Sequence, residues 1–474
     1  MSEQGWVVST SSPGEPHPPD ADVDSFAALF RAFLERMTHQ VNRAESGFIR
    51  ELAAHLGAAP AGLPVVSRGY PGYDHANVQV ALEALFGGAD AVGQLVGLTS
   101  QFRRHHSLSE LIDMSGHGVP IETGSVDYQR VQVSPTETRP CVQFGVWLIE
   151  AGPARMAVLQ RGPDRQHGQE GVSLEALTTD EEAAETLFSR LEELMVEHNI
   201  FRGQVLSFEG HEFGHGAGPI RFLPRPQVSA EDLVLPAPTL RAVQRQVLGI
   251  AEQRSRLRAA GLHLKRGVLL YGPPGTGKTL TMRYLLTRLD DHTAIVLAGA
   301  SLQFITPACA LARLLTPAIV VLEDVDLVAE DRSYHGPQPL LFAVLNEMDG
   351  MAEDADVTFL LTTNRAGVLE PALAERPGRV DQAVEIPLPD EAGHQRLLEL
   401  YARGVQLELA DPASILARMR GTTASFVKEL VRRSVLAGDG AVRLGDRELH
   451  AALDELLDER EAVTRALLGG PARR

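Results

Sequence analysis

Gly267-Val268-Leu269-Leu270-Tyr271-Gly272-Pro273-Pro274-Gly275-Thr276-Gly277-Lys278-Thr279 is the stretch that decides the fold. Val268 to Tyr271 are apolar or aromatic and predict a short buried strand. Gly272 to Thr279 then fit G-x-x-x-x-G-K-[ST], and Leu280, Leu285, Leu286 and Leu289 recur at helical spacing. The residue types have chemical reasons. Gly272, Gly275 and Gly277 let the backbone curl so that successive N–H groups point at phosphate oxygens. The positive end of the following helix lies behind them. Lys278 reaches the outer phosphates, and the Thr279 hydroxyl is placed to ligate magnesium. Gly272, Pro273, Pro274, Gly275, Thr276, Gly277, Lys278, Thr279 and Leu280 form the expected contact set for a nucleoside triphosphate. A chance glycine-rich turn would not match every position between a strand and a helix.

The chain has 474 residues, which suggests about three domains. A hydrophobic fraction of 44% is enough for real cores. With 62 acidic against 44 basic residues the net charge is −18, which argues against general affinity for nucleic acid or anionic lipid. Cys141 and Cys309 are the only cysteines and lack metal-ligand spacing, so a reduced compartment is expected. The N-terminus has no basic-then-apolar signal, and no apolar run approaches bilayer length. The expectation is a cytoplasmic protein with no membrane partner.

Residues 1–24 are rich in Pro, Ser and Asp and are expected to be a disordered tail. Phe26, Leu29, Phe30, Phe33, Leu34 and Met37 recur at helical spacing behind a possible N-cap, Ser25. Such a stripe ordinarily packs into its own core; the rival reading is a partner-docking helix. Residues 50–100 mix helix and loop signals. Val131, Val133, Val142, Phe144, Val146 and Leu148 predict strands, turned at Gly152-Pro153 into a run from Met156 to Leu159. A helix over 180–198 follows, with Leu187, Leu191 and Leu194 on one face. Residues 25–228 therefore read as an α+β domain without a visible catalytic constellation. The prolines at 224, 226, 236 and 238 suggest a stiff linker, and a helical segment over 239–260 leads to the phosphate loop.

His211-Glu212-Phe213-Gly214-His215 matches H-E-x-x-H, in which two His one helical turn apart bind zinc with a Glu base between them. That geometry needs a helix, and Gly210, Gly214, Gly216, Gly218 and Pro219 disfavour one. We read the match as accidental.

After the loop, Thr293 to Leu297 and the wholly apolar Ala318 to Leu322 predict two more strands. The second ends in Glu323-Asp324-Val325-Asp326. Carboxylates at the C-terminal end of a strand beside a phosphate loop can hold magnesium and polarise a water. A fourth strand, Val357 to Leu361, ends in Thr362-Thr363-Asn364-Arg365, and Asn364 is placed to touch the attacking water or the γ-phosphate.

With these motifs in place, residues 239–465 resemble the AAA clade of the AAA+ ATPases. The resemblance rests on Gly267 to Thr279, the strand ending Glu323-Asp324, Leu345 to Gly350, Thr362 to Arg365, and Leu369 to Asp381 with Arg376 and Arg379. It implies a parallel α/β P-loop module over 229–390, a small helical lid over 391–474, and ATP with Mg2+ as ligands. It also implies a ring, expected to be a hexamer, and a protein substrate or adaptor chosen by the N-terminal half. Lys278 and Thr279 would serve the phosphates, and Thr279 and Glu323 the magnesium. Asp324 would be the water-polarising carboxylate, Asn364 the first sensor, and Arg376 and Arg379 the arginines given to a neighbour's ATP. A cation brought to the transferring phosphoryl group is worth about 10³–10⁵ in rate, so such placement makes hydrolysis depend on assembly.

The sequence departs from that pattern twice. The strand-end pair is Glu-Asp where most of the family has Asp-Glu. Asp is a methylene shorter, and roughly an ångström of misplacement can cost about 10²-fold, so slow but real turnover is expected. The segment between Gly299 and Pro317 is also short where a pore loop would lie, leaving Phe304-Ile305 as the only candidate. A nucleotide-gated scaffold with little hydrolysis is the rival from another class, and a zinc protease through His211 and His215 a further one.

Overall fold

The computed structural model of the chain describes residues 25–33, 46–88, 91–99, 106–164, 166, 168–209, 220–326, 339–365, 380–437 and 443–458. Two seven-stranded sheets and a helical C-terminal cluster organise them.

The first sheet is antiparallel and contains β1 (Val65–Tyr70), β2 (Val92–Thr99), β3 (Glu122–Gly124), β4 (Asp127–Gln132), β5 (Thr138–Ala151), β6 (Ala154–Arg161) and β7 (Val172–Thr178). Its order is β1-β7-β6-β5-β2-β3, with β4 also on β5. The long β5 carries β4 along its first half and β2 along its second, with β6 on the other edge. Helices cover both faces, so β5 buries both of its side-chain rows rather than alternating with solvent. Trp147 and Ile149 pack with Leu187 and Leu191 of the helix Glu181–Glu197. Val146 and Leu148 pack instead with Phe48, Leu52 and Leu111 of two other helices. Asp180 caps Glu181–Glu197 by accepting from Ala183 N at 3.1 Å. The expected strands and helix of this half are present, and β1, β2, β3 and β7 are added to them. Gly93 and Gly97 break up the apolar run of β2, which conceals it from a periodicity reading.

The second sheet runs β14-β10-β13-β12-β11-β8-β9. Its strands are β8 (Val205–Phe208), β9 (Ile220–Leu223), β10 (Arg266–Tyr271), β11 (Thr293–Ala298), β12 (Ala318–Glu323), β13 (Val357–Thr363) and β14 (Gln382–Glu385). Every ladder is parallel except β8–β9. Both faces are covered; β12 is apolar from Ala318 to Leu322, as a doubly covered parallel strand is, and β13 buries Phe359, Leu360 and Leu361 between the threonines at 358, 362 and 363. Leu311, Val344 and Leu345 pack one face; Val243, Val247, Tyr284 and Leu285 pack the other. The lid follows as the helices Glu391–Tyr401, Pro412–Met419, Ala424–Ala437 and Asp446–Leu457 around Leu397, Ile415, Phe426, Leu430 and Leu453. The fold is thus the expected α/β module with helical lid, preceded by an α+β sheet.

Three expectations change. Residues 205–208 and 220–223, assigned from sequence to the N-terminal domain, are strands of the second sheet: β8 lies parallel to β11, and β9 pairs with β8. The proline-rich segment 224–239, expected to be a stiff linker, is packed, with Leu233 and Leu235 buried in the second sheet's core. The helix over 25–33 leaves Phe26, Leu29, Phe30 and Phe33 at 67%, 73%, 50% and 55% exposure, so its stripe enters no core of the described residues. Residues 1–24, together with Leu34 and Met37 of that stripe, lie outside the described set. Among the described residues, no helix is long and apolar enough to cross a membrane.

Candidate nucleotide site

The phosphate loop leaves the C-terminal end of β10 and enters the helix Lys278–Arg288. Two glycines are required by close approach. A Cβ on Gly272, whose φ is +150°, would lie 2.2 Å from Ile386 O, the backbone just beyond β14. A Cβ on Gly275, at φ +79°, would meet Ser425 Oγ at 2.9 Å and Thr423 Oγ1 at 3.0 Å. The lid docks there: Ser425 N donates to Gly275 O at 3.1 Å. Gly277, at φ +106°, is open, with nothing within 4 Å of its Cβ position. Loop and helix start therefore leave a free cradle where phosphate oxygens would meet backbone N–H groups.

Lys278 is buried, and its Nζ donates to Gly272 O and Pro273 O at 2.9 Å each. Burial lowers its pKa, opposed by the carboxylates of Asp324 and Asp326. Thr276 Oγ1 donates to Pro273 O at 3.0 Å, closing the turn.

The carboxylates arrive on β12 and the polar tip on β13, adjacent parallel strands. Asp324 stands just past β12 at φ +50°, unusual for a residue with a Cβ, and its N–H is held by Thr362 Oγ1 at 3.0 Å. Asn364 Nδ2 donates to Asp324 Oδ1 at 3.2 Å. Sequence reasoning left Asp326 without a role. It is buried, and its Oδ1 accepts from Thr363 Oγ1 at 2.9 Å and from Asn364 N at 3.2 Å. Asp326 thereby fixes the strand tip that aims Asn364. The i, i+2 spacing of two carboxylates at a strand end was the available signal. Glu323 is partly buried; burial first, then the charge of Asp324, pushes its pKa up, with Arg283 opposing.

A cavity of about 620 Å³ joins these parts. Pro274 to Thr281, Asp324 and Asn364 line its polar end. Val234, Leu235, Leu397 and Tyr401 line the other end, between the packed segment and the lid, and are suited to an apolar ring system. Lys428 and Arg283 add cations that sequence reasoning missed. Glu323 is not among the lining residues. The chemistry and size of the cavity fit a nucleoside triphosphate.

The remaining expected residues fall elsewhere. Arg376 and Arg379 lie outside the described residues, as do His211 and His215. Among the described residues, no group of three or more His, Cys, Asp or Glu side chains could hold a metal. Phe304 and Ile305 are buried at 8% and 2% exposure, and the Phe304 ring stacks on Phe208 of β8 at 5.7 Å. The short segment therefore makes core contacts where a pore loop would project.

Residues 268–388 match the family model described as "ATPase family associated with various cellular activities (AAA)". The chain is 32% identical over 245 residues to ATP-dependent zinc metalloprotease FtsH 2 of Symbiobacterium thermophilum, covering 48% of this chain and 40% of that protein. It is 36% identical over 159 residues to 26S proteasome regulatory subunit 10B of Dictyostelium discoideum, covering 31% and 40%. It is 30% identical over 212 residues to 26S proteasome regulatory subunit 8 of the same organism, covering 41% and 51%. The chain thus spans about two fifths to half the length of these relatives. The matched segment contains the loop, both strand tips and the cavity's polar end, and the chain carries an AAA ATPase domain over residues 268–388.

Proposed function

We propose that the protein binds ATP with Mg2+ and hydrolyses it at subunit interfaces of a ring, for which six subunits is our reading, and uses the cycle to remodel a protein target. The observation that carries the reading is the joining of Lys278, Asp324 and Asn364 around one cavity, with Asp324 and Asn364 in contact at 3.2 Å. Loop amides and Lys278 would hold the phosphates. Thr279 and Glu323 would hold magnesium, which when bound neutralises phosphate charge. Asp324 would accept the proton of the attacking water, while Asn364, steadied by Asp326, keeps that carboxylate oriented. Arg376 and Arg379 would reach a neighbour's phosphates. Burial of Phe304 and Ile305 favours remodelling by domain movement over threading past that segment.

The second reading, an assembly scaffold with little hydrolysis, is favoured by the Glu323-Asp324 order, which puts the shorter carboxylate in the water-polarising place. The test is turnover by the wild type and by Asp324→Asn. ATP turnover that the variant loses while still binding ATP supports the ATPase. Tight ATP binding with no turnover in either supports the scaffold.

A further inference from the structure

A second cavity, of about 560 Å³, lies between the two sheets and away from the nucleotide. One wall is β4, the other β9, and both are open sheet edges: among the described strands β4 pairs only with β5, and β9 only with β8. Consecutive residues line it on each side, Gln129 to Gln132 and Ile220 to Phe222. Consecutive residues, rather than alternate ones, line a cavity where a strand turns its edge, not a face, toward it.

The ladder gives the free groups on β4. Val133 N donates to Glu137 O at 3.0 Å, so that opposed pair is hydrogen-bonded. By antiparallel alternation the pairs Val131–Arg139 and Gln129–Cys141 also bond inward. The N–H and C=O groups of Arg130 and Gln132 then point away from β5, toward the cavity. The floor is aromatic: Tyr73, Phe201 and Phe222 are linked by ring centroids 6.5 Å and 5.7 Å apart. The rim carries the carboxylates of Asp164, Glu170 and Glu209 against the guanidinium groups of Arg130 and Arg221. Three carboxylates against two guanidinium groups leave the rim, among the described residues, with a net acidic charge.

We propose that this cleft binds an extended segment of a protein partner, which adds as a strand along β4. It would place apolar side chains on the aromatic floor and basic ones against the carboxylate rim. Main-chain bonds would come from the free groups of Arg130 and Gln132, and side-chain selection from floor and rim. Because β9 belongs to the same sheet as β12, the bound segment would touch the ATPase sheet directly. The proposal rests on the reading of the N-terminal half as the partner-selecting part and deepens it.

The test uses the full chain without nucleotide and an array of decapeptides alternating Val, Ile, Phe or Tyr with Lys, Glu or Ser. Gln132→Pro removes one outward N–H and no bond to β5, as proline permits at an edge. Gln132→Ala loses the same side chain but keeps that N–H. We expect Lys-containing peptides to be retained over Glu-containing ones. Retention should fall about tenfold in Gln132→Pro, the worth of one ladder bond in a low-water site, and stay within about twofold in Gln132→Ala. The Arg130 amide should also gain exchange protection in the wild type with peptide. No retained peptide, preference for Glu peptides, or equal retention by the two variants would overturn the site. Retention with no ATP turnover would instead count only against the ATPase reading.

Discussion

Arg225 offers the sharpest test of how the segment before the phosphate loop is built in. Its Nη1 donates to Leu286 O and Leu289 O at 2.9 Å each, and its Nη2 to Gly203 O at 2.8 Å and His292 O at 2.9 Å. One guanidinium thus ties the end of the phosphate-loop helix, the approach to β8 and the approach to β11. The carbonyl end of the helix is also where a cation is favoured. Hydrogen bonds to a charged donor are worth about 1.5–3 kcal/mol each, so simple addition over the four would give roughly 6–12 kcal/mol. Partial burial of the guanidinium, which lowers its pKa, offsets part of that. Bonds that share one guanidinium do not add, so we expect Arg225→Ala to cost about 3–5 kcal/mol. Arg225→Lys should recover less than half, because a point ammonium cannot fork to four carbonyls. Global melting of a multidomain chain would blur the effect, so the assay is native-state hydrogen exchange at Ala294, whose N–H bonds Gln204 O at 2.8 Å between β8 and β11. Exchange there should accelerate by about two orders of magnitude or more. A change below about 1 kcal/mol would refute the claim that this residue fixes the approach to β8 at Gly203 to the ATPase sheet.

Other outcomes follow from the same geometry. Gly272→Ala forces a Cβ against the Ile386 carbonyl, and nucleotide affinity measured by calorimetry should fall at least about tenfold, with a stability loss of about 1–3 kcal/mol. Asp326→Ala strands the Thr363 hydroxyl and the Asn364 N–H; about 2–3 kcal/mol of stability and most turnover should go, with ATP binding less affected. Burial pushes Asp74 up to about 6, above its ordinary carboxylate value of 3.8. The folded state then holds the proton more tightly than the unfolded one, so this group's contribution is full below pH about 4 and is lost as pH rises through about 6. Asp74→Asn should therefore gain about 1–3 kcal/mol at pH 7.5 in denaturant titrations and match wild type near pH 4.

The ATPase half was legible because its signals are local and chemical. A phosphate loop needs its glycines and lysine, a buried parallel strand needs the wholly apolar run of Ala318 to Leu322, and the strand tips need carboxylate and amide. What escaped is pairing between distant short segments. The four residues of β8 carry no mark that they join β11, almost ninety positions later, rather than the sheet before them. The role of Arg225 is not legible in sequence, because its four acceptors are carbonyls that no side-chain pattern reveals. Phe304 read as a candidate pore residue on type alone; only the ring of Phe208 beneath it gives it a core role. The stripe at Phe26 to Phe33 was expected in a core by periodicity, which reports amphipathicity but not the partner.

The central claim is hydrolysis completed between subunits, and ATP turnover per protomer over a wide range of protein concentration, with Arg376→Ala alongside, tests it most directly. The account predicts a per-protomer rate that climbs as the protein assembles and falls by about 10³-fold or more in the variant at full ATP occupancy. A rate independent of concentration and unchanged in Arg376→Ala would contradict it.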